Sequence, residues 1–280
     1  MLKNQRIAVV GYGSQGRAQA TSLFRAGMDV CVGLRKNGKS WKKALDEDIS
    51  VKTIEDACKW ANIIHILIPD EVQAEVYKRD IEPNLQEGNV LSFSHGFNIV
   101  YKLIRPPKNL DVILVSPKAP GSEILENKNV PSAIAVWQDF STHAKETALA
   151  LAEAMNFKTF ECTFEQETFE NLFAEQAVLC GGLPELVKKA SGILLEKGYP
   201  KELVEAEILH QLRLITNLFH KSGIEGMYKE VSNTAEYGGR TAGPKIIDEH
   251  VEKSMRKVLE RIENGEFAEE FGDVTRKSSG

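Results

Sequence analysis

Over the first ~160 residues, short runs of near-continuous apolar residues alternate with stretches whose apolar positions recur at helical spacing. The runs are RIAVVGY, DVCVGL, NIIHILIP, NVLSFSH, DVILVSP and SAIAVWQ. Consecutive rather than alternating apolar residues are the pattern of strands buried on both faces. Between the runs, SQGRAQATSLFRAG closes on a glycine, and TIEDACKWA opens on Thr53 with an acidic first turn; both read as helices. Strands and helices in alternation predict a parallel sheet covered by helices.

From about Glu165 the pattern changes. EQETFENLFAEQAVLCGGLPELVKKASGILLEKGY, KELVEAEILHQLRLITNLFHKSG and PKIIDEHVEKSMRKVLERIENGEF are all helix-like in period. Punctuation at Gly181–Pro184, Gly198–Pro200, Gly223–Gly226 and Gly238–Pro244 is expected to separate the helices. Two domains follow: an α/β domain over 1–164 and an all-helical one over 165–280. The closing GDVTRKSSG reads as a polar tail.

The chain has 280 residues, 42% hydrophobic and 27% charged, a globular composition with room for two ordinary domains. A net charge of −5 offers no bulk attraction to nucleic acid or anionic membrane, so neither is an expected partner. No segment approaches the ~18 apolar residues of a membrane span. The start, MLKNQRIAVVGYG, lacks the apolar core and cleavage site of a signal peptide. Cys31, Cys58, Cys162 and Cys180 are widely spaced among apolar neighbours, which predicts buried thiols rather than zinc ligands or disulfides. A cytoplasmic protein is expected.

The chemistry begins at IAVVGYGSQGRAQA. Gly11, Gly13 and Gly16 have GxGxxG spacing, with Ser14 and Gln15 between the last two, directly after a strand and before a helix. Such glycines allow a tight turn, close approach to a pyrophosphate, and close helix–strand packing, while free amides at the helix start face the phosphate. The next strand ends in GLRKNGKSW, with Arg35, Lys36, Lys39 and Ser40 and no carboxylate for a ribose hydroxyl. Cations and a hydroxyl suit a 2′-phosphate, so the expected cofactor is NADPH. His95 in SFSHGFNI and Lys118 in VSPKAPG each end a buried strand, where open α/β sheets hold their ligands. In the helical half, Asn171 and Glu175, and Glu207 and Gln211, stand four apart and share helix faces. Taken alone, these pairs read as solvated faces.

The segments GYGSQGRAQA, GLRKNGKSW, IPDEVQAEVY, SHGFNI, PKAPG, AEQAVLCGG and SNTAEYG occur in this order over roughly residues 5–270. Together they resemble ketol-acid reductoisomerase of branched-chain amino-acid biosynthesis, in its short bacterial and archaeal form. The resemblance implies a Rossmann-type N-terminal domain and an all-α C-terminal dimerisation domain like that of 6-phosphogluconate dehydrogenase. It also implies a homodimer with a shared active site, where two Mg²⁺ ions hold a small carbonyl substrate during alkyl migration and NADPH then reduces the ketone. His95, Lys118 and Glu175 match catalytic positions, and Ser232 a substrate position. Arg35 and Ser40 match the 2′-phosphate contacts, although Gly38 stands where a serine is usual. Glu175 and Glu207 match two of the four metal carboxylates. Asn171 replaces the metal-bridging Asp, and Gln211 replaces a second Glu. Ala119 and Ala174 replace glycines and Arg17 a histidine, and against the family the chain ends tens of residues early, short of its last helical segment.

An amide keeps a carbonyl oxygen but removes a full charge, so the nominal carboxylate count falls from four to two. Mg²⁺, a hard cation usually held through carboxylates, is then expected to bind weakly or at a single site at most. Alkyl migration suits paired Lewis acids. Hydride transfer needs only orientation and one electrophile or proton donor, which Lys118 or a single ion would supply. The expected function is therefore NADPH-dependent reduction of a 2-keto acid or related carbonyl or imine, with isomerase activity weakened or absent. The alternatives are a complete ketol-acid reductoisomerase, converting 2-acetolactate to 2,3-dihydroxyisovalerate, and a non-catalytic NADPH-binding paralogue.

Overall fold

The computed structural model describes residues 2–126 and 129–278. The chain divides into two compact units: Met1–Thr168 with Ala268–Gly280, and Phe169–Phe267.

The first unit is built on one eight-stranded sheet in the order β3-β2-β1-β4-β5-β6-β7-β8. Its strands are β1 (Arg6–Val10), β2 (Asp29–Leu34), β3 (Ser50–Thr53), β4 (Ile63–Ile66), β5 (Val90–Phe93), β6 (Asp111–Pro117), β7 (Pro131–Gln138) and β8 (Lys158–Glu161). All six expected strands are present. The edge strands β3 (SVKT) and β8 (KTFE) escaped the apolar pattern because an edge needs little apolar surface. Every neighbouring pair is parallel except β6 and β7. This departs from the all-parallel expectation. Among the described residues the connection from β6 holds only the short α6 (Gly121–Leu125) and returns from the same end of the sheet, so β7 must run back.

Alternation along β1 shows why both faces are apolar. Ile7 and Val9 pack with Ala20 and Leu23 of α1 (Ser14–Arg25) and Leu151 of α7 (Ala144–Ala154). Ala8 and Val10 face the other way, against Ala57 and Cys58 of α3 (Ile54–Trp60). The chain winds outward from β1 through β2 to β3, then returns to β4 on the other side of β1. That reversal opens a crevice at the carboxyl end of β1, where the glycine-rich turn lies. Cys31 and Cys58 are buried as expected, whereas Cys162 is half-buried and Cys180 exposed; none of the four is in a disulfide.

The second unit is helical. Following α8 (Phe164–Phe173), it contains α9 (Gly182–Glu196), α10 (Lys201–Val204), α11 (Gln211–Glu230), α12 (Asn233–Ile246) and α13 (Glu249–Glu263). Two wider π turns, at Ala174–Leu179 and Glu205–His210, interrupt them. Gly223 has φ of 71° and kinks α11. The Gly238–Pro244 segment, expected to separate helices, lies inside α12, its proline in the last turn, where the helix ends two residues later. Asp248 starts α13 by accepting from the amides of His250 and Val251. The segment read as a polar tail is helical as far as Ser278, within α14 (Glu266–Ser278). Neither α9 nor α12 buries a residue within the single chain, and Ile193, Tyr237 and Ile246 stand 62%, 74% and 57% exposed.

Candidate active site

Gly11 has φ of +106°, and a Cβ there would lie 2.7 Å from the Leu67 carbonyl oxygen. A Cβ at Gly16 would fall on the Gly11 carbonyl oxygen. Both glycines are therefore demanded by close backbone packing. Gly13 is different: nothing lies within 4 Å of a Cβ placed there, and Gly13 and Ser14 are exposed. No side chain caps the start of α1, so its first amides remain available to an anion. An open face at Gly13 over an uncapped helix start fits a dinucleotide pyrophosphate.

Gln15 is drawn inward, its side-chain amide donating to the Ala119 carbonyl at 2.9 Å. Its contribution to a cofactor is thus through the backbone. At the end of β2, Arg35, Lys36 and Lys39 are exposed and Ser40 is half-buried at the start of α2 (Lys39–Asp46). Among the described residues none of these three cations is in an ion pair, which leaves them available to a phosphate. Arg17 holds Glu47 through Nε at 2.8 Å, and the Tyr12 hydroxyl donates to the same carboxylate at 2.7 Å. The Arg17 hydrogen bond lowers the Glu47 pKa, and burial with the Glu47 contact pushes the Tyr12 phenol up to about 12.

His95 and Lys118 emerge from the carboxyl ends of β5 and β6. His95 Nδ1 lies 2.7 Å from a carboxylate oxygen of Asp70, the first residue of α4 (Asp70–Val76). Lys118 Nζ donates to Glu167 Oε1 at 2.8 Å. The Ser116 hydroxyl donates to the same oxygen at 2.8 Å, and the amide of Gly96, next to His95, donates to Oε2 at 3.4 Å. One buried carboxylate thus joins the two strand ends that carry His95 and Lys118. Sequence reading missed both acids. Glu167 sits in the acidic run EQETFE, yet on a helix it shares a face with the apolar Phe164 at i−3, which is buried. That alignment was the available signal.

In the second unit Asn171 is half-buried, and Glu175, Glu207, Gln211 and Ser232 are exposed. Glu175 and Glu207 both lie in π turns, the first sealed by the Cys180 amide donating to the Glu175 carbonyl at 2.7 Å. Such turns are rare and recur at functional sites, and helical periodicity in a sequence does not reveal them. The Gln211 side-chain amide donates to Glu207 Oε2 at 2.5 Å. A glutamate at 211 would instead set two carboxylates side by side and call for a cation; here the amide satisfies Glu207 itself. Ser232 Oγ caps α12 by accepting from the Ala235 amide at 3.2 Å. Among the described residues no three His, Cys, Asp or Glu side chains group into a metal site. Within one chain each pair consists of one carboxylate and one amide.

A doubly wound sheet with an open glycine-rich turn and a basic β2 end is the form of an NADP-dependent oxidoreductase. The family model described as acetohydroxy acid isomeroreductase, NADPH-binding domain, matches residues 1–159. That described as ketol-acid reductoisomerase, C-terminal domain, matches 164–279. The chain belongs to the ketol-acid reductoisomerase family. It is 49% identical to a ketol-acid reductoisomerase (NADP(+)) of Pyrococcus abyssi, covering 100% of this chain and 86% of that protein. Identity to the one of Methanocaldococcus jannaschii is 47%, over 96% and 84% of the two. A solved NADH-preferring ketol-acid reductoisomerase from an uncultured archean superposes with a TM-score of 0.96 at 45% identity, covering 99% and 87% of the chains. Among the described residues no helix is long and apolar enough to cross a membrane.

Proposed function

We propose that the chain is an NADPH-dependent ketol-acid reductoisomerase, converting 2-acetolactate to 2,3-dihydroxyisovalerate in branched-chain amino-acid biosynthesis. The supporting observation is near-half identity, over the whole chain, to relatives named for the complete reaction. These names weigh for the full reductoisomerase and against reduction alone as the first reading. NADPH supplies the hydride. Gly11, Gly13, Ser14, Gln15 and Gly16 seat its pyrophosphate, and Arg35 with Ser40 its 2′-phosphate. Lys118, held by Glu167, and His95, held by Asp70, orient the substrate carbonyl and manage its proton. Residues 1–164 are the NADP domain and 165–280 the substrate and dimerisation domain. The unburied faces of α9 and α12 support a homodimer with a shared active site, since exposed apolar faces of this kind mark association surfaces. The location is cytoplasmic.

A second reading keeps reduction and loses isomerisation. It is favoured by Asn171, Gln211 and the amide already donating to Glu207, which lower the demand for Mg²⁺ at Glu175 and Glu207 to weak or single-site binding. The test is consumption of NADPH, and of NADH, with 2-acetolactate and with 3-hydroxy-3-methyl-2-oxobutanoate, each with and without Mg²⁺. Mg²⁺-dependent turnover of 2-acetolactate is expected. Turnover of the migrated ketone alone would establish the second reading, and NADPH binding without any turnover would mark a non-catalytic paralogue.

A further inference from the structure

Gln19 lies inside the first unit, wholly buried, on the face of α1 that meets the sheet. Its side chain is the centre of a branched hydrogen-bond relay. His65 Nε2, on β4, donates to Gln19 Oε1 at 2.8 Å. Gln19 Nε2 donates at 3.1 Å to Gln15 Oε1 and at 3.0 Å to Ser94 Oγ. One branch then ends on a backbone carbonyl in the loop after β6, the other on one within β6. Gln15 donates to Ala119 O at 2.9 Å, and Ser94 donates to Val115 O at 2.8 Å.

Ser94 Oγ also lies 3.5 Å from Gln19 Oε1, but its one hydrogen goes to the shorter Val115 contact, so every link has one polarity. Gln19 spends both amide hydrogens on its branches, so its oxygen must accept, and His65 must carry its proton on Nε2. Gln15 in turn accepts at its oxygen, which leaves its NH₂ for Ala119. The residues at the tips are the neighbours of those assigned to chemistry. Gln15 belongs to the glycine-rich turn, Ser94 precedes His95, and Ala119 follows Lys118. A second contact locks the same loops: a Cβ at Gly121 would lie 2.5 Å from the Ser14 carbonyl oxygen, so the chain after Lys118 rests directly on the turn.

We propose that Gln19 is a positioning residue, whose buried amide sets the glycine-rich turn, the His95 loop and the Lys118 loop in mutual register. It touches neither cofactor nor substrate. Its role in turnover rests on the proposed function, but its role in ordering the loops does not.

The polarity makes the test specific. In Gln19→Glu the new carboxylate still accepts from His65 but has nothing to donate. Gln15 must then turn its NH₂ toward residue 19, placing oxygen against the Ala119 carbonyl and breaking that branch. Hydrogen exchange on the full chain is expected to quicken at least tenfold at amides 94–97 and 118–123, with rates over 29–53 unchanged. Titration with NADPH is expected to give a Kd within threefold of wild type, while kcat for ketone reduction falls at least tenfold. Uniform quickening of all three segments, or unchanged exchange in both loops, overturns the proposal. Should Gln19→Glu not fold, Ser94→Ala removes one branch alone. Exchange must then quicken at 94–97 and stay unchanged at 118–123, and quickening of both or neither overturns it. A wild type that reduces neither ketone removes the proposed function, and the exchange pattern still decides the relay.

Discussion

Lys118 and Glu167 form a 2.8 Å ion pair whose carboxylate side chain is 1% exposed and whose ammonium is 25% exposed. The carboxylate also accepts from Ser116 and Gly96, so its removal frees groups at the ends of two strands. Lys118→Met leaves a buried carboxylate with neutral donors only. A loss of about 3 kcal/mol is expected, at the low end for a broken buried pair because the ammonium is partly solvated. Urea unfolding measures it. Glu167→Gln keeps the shape, and is expected to cost about 1–2 kcal/mol in stability and at least tenfold in kcat. An unchanged kcat would sever Glu167 from the site.

Two glycines of one turn separate folding from binding. Gly16→Ala sets a methyl on the Gly11 carbonyl and is expected to lower stability by several kcal/mol, on the order of the larger overpacking losses. Gly13→Ala meets nothing within 4 Å, so its melting temperature should hold while NADPH affinity drops at least tenfold. Thermal melts and fluorescence titration with NADPH, run on both variants, read the contrast.

The cationic turn after β2 predicts cofactor choice. Replacing Arg35 with Ala removes an exposed, unpaired guanidinium. The Kd for NADPH should rise about tenfold, as expected for one lost charge-assisted contact of ~1.4 kcal/mol. The Kd for NADH should change by less than twofold. Equal weakening of both would place Arg35 away from the 2′-phosphate.

Burial holds the His65 imidazole at about 4, down from 6.5. Between those values the unfolded chain takes up a proton and the folded chain does not. Stability from this group is therefore complete above pH 6.5 and lost as the pH falls toward 4, by about 3 kcal/mol across the window. Urea unfolding at pH 7 and pH 4.5 should show this loss, and His65→Gln should flatten it.

Restoring charge tests the amide pair. The double variant Asn171→Asp, Gln211→Glu places carboxylates at both amide positions and removes the amide that donates to Glu207. Calorimetric Mg²⁺ affinity is expected to rise at least tenfold, and with it the rate with 2-acetolactate relative to that with the migrated ketone. Equal affinity in wild type and variant would show that the amides do not limit metal binding.

Local pattern was enough for the buried strands, because strands covered on both faces are continuously apolar and need no partner to be recognised. It was enough also for the glycine-rich turn, whose residues are imposed by backbone geometry within a few positions of chain, and for the basic β2 end. His95 and Lys118 could be singled out for the same reason: each follows a strand that announces itself. The antiparallel β7, the polar edge strands and the helix through Gly238–Pro244 were not readable, since pairing direction and edge position depend on distant segments. Nor could spacing reveal that Glu167 joins His95's loop to Lys118, that Gln19 links three strand ends, or that Glu175 and Glu207 sit in π turns. The sequence by itself determined which side chains were available and which backbone turns were possible. Tertiary structure alone decided which of them meet, because a hydrogen bond between residues 19 and 94, or 118 and 167, exists only once the strands between them have found their order.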